Sequence, residues 1–140
     1  MKRIVVDTNV ITAAMLSATG SNRDVIRACL SGKVQPLIGE ALLNEYEDVL
    51  ARPTLMSKSP LNASQRTTLF HAFLSVCEWV RVYFLWRPNL PDEADNHLVE
   101  LAIAGGAEVV VTNNIRDLMH GQLAFPHLHI LTPAQFLKTI

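Results

Sequence analysis

Four groups of acidic and amide side chains, far apart in the chain, hold the residue types that can do chemistry here. They are Asp7 in VVDTNV, Glu45 in LLNEYEDVL, Asp92 with Asp95 in PDEADNHL, and Asn114 with Asp117 in VVVTNNIRDL. Each falls at or near the end of a predicted strand or the start of a predicted helix. In an open α/β sheet the ligand site lies outside the carboxyl ends of the strands. Carboxylates gathered there repel one another unless a cation offsets them. Carboxylate and amide oxygens suit a hard divalent ion such as Mg²⁺ or Mn²⁺. The chemistry such a site supports is metal-assisted hydrolysis of a phosphodiester.

Each group also has a plainer explanation. Asp7 can be an Asx-turn or helix-cap residue, with Thr8 and Asn9 as its neighbours in the turn. Glu45 can be one more solvated acid on its helix, as Glu47 and Asp48 are expected to be. Asp92 and Asp95, three residues apart, share one face if a helix starts at Asp92. Acids at a helix start are also favoured by the helix dipole alone. Asn96 adds an amide beside them. Thr112 can supply a hydroxyl to a metal-bound water, and spacing leaves open whether Asn114 or Asp117 completes the group opposite Asp7.

The elements that must position these residues alternate between strand and helix. Strands are predicted at 2–6, 34–38, 81–85, 109–111 and 129–131. Helices are predicted at 9–17, 21–31, 39–51, 62–78, 93–104 and from Pro133. Ser21 with Asp24 reads as a variant capping box. Thr132 is a helix cap ahead of Pro133, and Pro53 stops the third helix. Residues 54–60 read as a loop, and 112–117 as an exit loop and turn. The alternation predicts a three-layer α/β/α sandwich around a mainly parallel central sheet, in one domain spanning 1–140.

Composition narrows the class. Hydrophobic residues make up 49% of the 140 and charged residues 18%, with a net charge of −1. That balance does not advertise a nucleic-acid binder, though local arginines can sit beside an acidic pocket. Arg23, Arg27, Arg52, Arg87 and Arg116 are candidates to guide a phosphate backbone. Cys29 and Cys77 lie on apolar periodic segments with no metal-type spacing and read as reduced core residues. No apolar stretch reaches about 18 residues, so a cytoplasmic protein without a membrane segment is expected. The five histidines lack ligand spacing. His97 sits where it could reach a substrate phosphate, but a packed or surface role is the plainer reading. There is no P-loop, GxGxxG or serine elbow, which argues against nucleotide hydrolysis, dinucleotide binding and acyl transfer.

With these residues assembled, the chain resembles the PIN-domain family, in particular its small bacterial toxin-like (VapC-like) branch. VVDTNVI resembles the family's first motif and LLNEYEDVLARP its second. PDEADNHLVELAIAGGAEVVVTNNIRDL resembles the third and fourth run together. The resemblance covers essentially the whole chain. It implies a Mg²⁺- or Mn²⁺-dependent ribonuclease with Asp7, Glu45 and Asp95 as acidic metal ligands and the fourth place at Asn114 or Asp117. Many relatives carry Asp where Asn114 stands, so the site here has one charge fewer unless Asp117 or Asp92 compensates. The resemblance also implies an RNA substrate, a homodimer and an antitoxin protein. Two other readings compete: a catalytically inactive PIN fold that binds RNA or protein, and a phosphotransfer enzyme or receiver using Asp7. The last lacks the second Asp, since position 9 is Asn, and lacks the paired acid and strand-end Lys of receivers.

Overall fold

A computed structural model describes residues 1–82 and 96–140, without the side chains of 96 and 120–124. Among the described residues five strands form one sheet: β1 (Lys2–Val6), β2 (Val34–Ile38), β3 (Glu78–Trp79), β4 (Val109–Val111) and β5 (His129–Leu131). Their order is β3-β2-β1-β4-β5 and every pairing is parallel. The helices are α1 (Thr8–Leu16), α2 (Ser21–Leu30), α3 (Glu40–Leu50), α4 (Pro53–Met56), α5 (Ala63–Val76), α6 (Asn96–Gly105), α7 (Ile115–Ala124) and α8 (Pro133–Leu137).

The three layers follow from burial. Ile4, Val5 and Val6 are all fully buried, as are Val109, Val110 and Val111. Successive strand residues point to opposite faces, so an unbroken buried run requires helices on both sides of the sheet. β-branched residues suit these strands because they pack well on a pleated surface. The expected α/β/α architecture with its parallel sheet is therefore the one observed.

Local signals place most boundaries. Gly32 and Gly106 adopt φ of +78° and +67°, the left-handed region that ends a helix at little cost to glycine. Asn62 caps α5 and Thr132 caps α8, each in a reciprocal capping box with Gln65 or Gln135. Cys29 and Cys77 are both free, and burial pushes their thiols up to about 12.

Several boundaries differ from the sequence expectation. Ser21 is the first residue of α2, and the cap position belongs to Gly20 without a side-chain bond; Asp24 instead pairs with Arg27 at 2.8 Å. Residues 53–56 form a short helix, because Pro53 ends α3 and is itself well suited to the first position of α4. The helix expected to reach Glu78 stops at Val76, and an edge strand lies at Glu78–Trp79. Arg81 and Val82 are in neither helix nor strand, and 83–85 lie outside the described residues. Glu78 is held there by Arg3 of β1, whose guanidinium meets both carboxylate oxygens at 2.9 and 2.5 Å. The turn expected after Asn114 is the start of the full helix α7.

Sheet order also creates the place for a site. The chain passes from β1 to β2 on one side, while β4 joins β1 on the other. Crossovers leaving in opposite directions open a crevice at the carboxyl ends of β1 and β4, the usual ligand position in such sheets. Register puts Val6 opposite Val111, so Asp7 and Thr112 emerge side by side.

Candidate active site

Asp7 continues the ladder by one bond, its N–H donating to Val111 O at 2.9 Å. It occupies the N-cap position of α1, yet its side chain makes no capping bond. The carboxylate turns instead toward β4. Thr112 Oγ1 donates to Asp7 Oδ2 at 2.8 Å, and Asn9 Nδ2 reaches the same oxygen at 3.3 Å. Asn9 Nδ2 is also 3.3 Å from Thr112 Oγ1, and its Oδ1 accepts the Asn113 N–H at 3.1 Å. Asn113 in turn donates through Nδ2 to Asn22 Oδ1 at 2.8 Å, tying the loop after β4 to α2.

Asp7 is 8% exposed. Burial raises its pKa, and the nearby negative Glu45 raises it further. The Thr112 bond, the Thr8 amide and His97 oppose the rise. A buried acid that feels a second acid is the local electrostatic situation that a cation relieves.

Glu45 comes from the middle of α3, whose buried face carries Leu42 and Tyr46. Tyr46 is fully buried and its hydroxyl donates to Val6 O, anchoring α3 to the residue before Asp7. Glu45, the residue just before Tyr46 on the helix, sits at the edge of that anchor, half-buried. Thr8 Oγ1 donates to Glu45 Oε1, and His97 Nε2 lies 2.9 Å from Oε2. The His97 bond holds the Glu45 carboxyl below its usual range, helped by the Thr8 bond and opposed by burial. Glu47 and Asp48 are exposed, as expected of solvated acids.

Asp7, Thr8, Asn9, Glu45, Asn114 and Asp117 line one cleft of about 700 Å³. Asn114 and Asp117 meet in it, Asn114 Nδ2 donating to Asp117 Oδ2 at 2.5 Å. Asp117 lies in the first turn of α7, where the dipole favours a negative charge. The Asn114 N–H bonds to Thr112 Oγ1 at 3.0 Å, so a single buried hydroxyl joins both halves of the cleft. Asp92 and Asp95 lie outside the described residues, as does the side chain of Asn96. Among the described residues, no three His, Cys, Asp or Glu side chains converge closely enough to hold a metal ion.

His97 was underweighted by its sequence pattern. It stands on the second residue of α6 and meets an acid 52 positions away. Nothing in local spacing announces that contact; the only hint is its place beside Asp95. The arginines separate clearly. Arg23 is bound to the carbonyl of Ala14 and Arg27 to Asp24 and the carbonyl of Ala18. Arg87 is outside the described residues, Arg116 is exposed, and Arg52 lines the cleft beside Asp48.

A family profile described as PIN domain matches residues 3–116. The chain belongs to the PIN domain family. Members of the family are nucleases. This PIN domain is also similar in fold to a chain in the crystal structure of VapBC2 from Rickettsia felis bound to a DNA fragment from their promoter. The TM-score is 0.61 at 19% identity, covering 93% of this chain and 98% of that one. No curated protein sequence matches the chain. Among the described residues, no helix is long and apolar enough to cross a membrane.

Proposed function

We propose that this PIN domain is a Mg²⁺- or Mn²⁺-dependent endoribonuclease that cuts single-stranded RNA, acting as the toxin of a type II toxin–antitoxin pair. The observation that carries the reading is that Asp7 and Glu45, 38 positions apart in sequence, line one cleft closely enough for the charge of one to act on the other. Their oxygens are the hard donors a small divalent ion takes. Asp95 joins them as the third ligand in this reading. Asp117, oriented by Asn114, supplies the negative charge that Asn114 lacks.

A bound divalent ion would acidify a water molecule and offset the charge that builds on the scissile phosphate. The protein's own part is positional. Thr112 and Asn9 fix Asp7 through Oδ2, and Thr8 and His97 fix Glu45 through both oxygens. Thr8, Asn9, Thr112, Asp92 and Asn96 serve as supporting groups. The fold-level likeness to VapBC2 supports an antitoxin partner, and a homodimer in the cytoplasm fits the same picture.

The test is direct. The purified protein should cut a single-stranded RNA in Mn²⁺ or Mg²⁺ and stop when EDTA is added. Calorimetric titration with Mn²⁺ should show saturable binding. The uncharged Asn114 favours a second reading, a PIN fold that binds RNA or protein without cutting. Absent cleavage together with absent Mn²⁺ binding would select it.

Arg52 is the arginine among the described residues that lines the cleft. Its pairing with Asp48 at 2.8 Å is exposed and contributes little to stability. Its guanidinium is thus available to an RNA phosphate. Arg52→Ala should raise KM a few-fold with kcat unchanged. The slope of log affinity against log salt should shallow by about 0.7, the value for one phosphate contact on a single strand. Unchanged KM and salt slope would remove Arg52 from the RNA path.

A further inference from the structure

The grip on Glu45 is unequal in origin. Thr8 follows Asp7 directly, so its bond to Oε1 comes with the strand-end turn. The bond to Oε2 comes from a separate element, α6, which packs on α3. Glu45 is the stronger case for needing such help. It projects from mid-helix on a flexible side chain, and holding a Glu in one rotamer costs side-chain entropy. An ionised carboxylate can only accept hydrogen bonds, so Nε2 carries the hydrogen in this contact. The other ring nitrogen, Nδ1, is buried with no hydrogen-bond partner among the described residues, so the contact to Glu45 is the ring's polar anchor.

We propose that His97 is a positioning residue for the cation site: its Nε2–H fixes Glu45 Oε2, so that the carboxylate meets a divalent ion in one preset orientation. This rests on the metal-dependent reading above. Groups that hydrogen-bond a ligating carboxylate typically change metal affinity or activity about 10–100-fold when removed.

A tie that merely joined α6 to α3 would give the same bond, and three substitutions separate the two roles. The amide nitrogen of Gln stands the same number of bonds from Cα as His Nε2, whereas that of Asn stops one bond short. His97→Gln can therefore keep the donor, while His97→Asn and His97→Leu lose it. Calorimetric titration of each variant with Mn²⁺, in the absence of RNA, is the primary readout, with metal-free thermal denaturation alongside. Expected are a loss of about 10–100-fold in Mn²⁺ affinity for the Asn and Leu variants and near-wild-type affinity for the Gln variant. If His97→Leu does not fold, the Asn and Gln pair carries the comparison. Wild-type affinity in the Asn variant, or a Gln variant as weak as Asn, would overturn the proposal and leave a structural tie. A wild-type protein that binds no Mn²⁺ would overturn it together with the nuclease reading, whereas tight wild-type binding with an unaffected Asn variant overturns this proposal alone.

Discussion

Asp7→Asn should cost RNA cleavage well beyond the roughly 10–100-fold typical of a supporting group, yet leave the protein at least as stable at neutral pH. The two effects have one cause. Burial raises the folded-state pKa of Asp7 above its unfolded value. The native state then holds its proton over a pH interval in which the unfolded chain has released it. Stability therefore falls as pH rises from the unfolded value of about 3.9 through the raised folded value, and the deficit persists at neutral pH. Asparagine carries no charge to desolvate, and its carbonyl oxygen still accepts from Thr112 and Asn9. Thermal denaturation at pH 7 should place the variant at or above the wild type, with the gap closing in acid. Added Mn²⁺ should raise the melting temperature of the wild type and leave the variant unmoved. Undiminished cleavage would remove Asp7 from the chemistry. A variant clearly less stable at pH 7 would mean that Asp7 is held there for structure. A site that costs stability in its empty form is the expected signature of function.

Thr112→Val attacks the same carboxylate from the other side and should lower both stability and cleavage. Thr112 is fully buried, and its hydroxyl serves Asp7, Asn9 and the Asn114 amide. Valine matches its outline but not its hydroxyl, so the swap is not conservative. Leaving buried partners unsatisfied costs about 1–3 kcal/mol. Cleavage should fall about 10–100-fold, as for a support of a metal-binding carboxylate. The pH dependence has a definite sign. The Thr112 bond favours ionised Asp7, so the variant's Asp7 has the higher folded pKa. The stability gap is therefore fullest above that value and narrows as falling pH protonates Asp7 in both proteins. Urea unfolding at neutral pH and near pH 4 measures it. Equal stability and equal cleavage at neutral pH would show that the hydroxyl is idle.

The parts of the fold legible in the chain are those whose signal is local. β1 and β4 could be read because strands covered on both faces carry short continuous apolar runs, and β2 and β5 because short apolar stretches stand between helical segments. The cap at Thr132 could be read because a capping side chain followed directly by proline marks a helix start within two residues. β3 could not. Glu78–Trp79 is a two-residue edge strand held by pairing with Leu37 and Ile38 and by Arg3, all distant in sequence. Next to an apolar helix end, its own pattern says nothing. α7 was obscured because Asn113 and Asn114 look like loop residues and Gly121 lowers helix propensity. Packing against β5 gives the segment its partner.

The site divides along the same line. The chain by itself determined which acids could act: Asp7 after its strand, Glu45 on its helix, Asp117 after β4, each a group that local chemistry can name. Only the tertiary structure decided their company. Parallel register set Thr112 against Asp7, the Tyr46 anchor set Glu45 into the same cleft, and the packing of α6 on α3 brought His97 to Glu45. Residue type and periodicity carry information about the nearest few neighbours. Contacts across tens to a hundred positions depend on how whole elements pack, and no short window of sequence contains that.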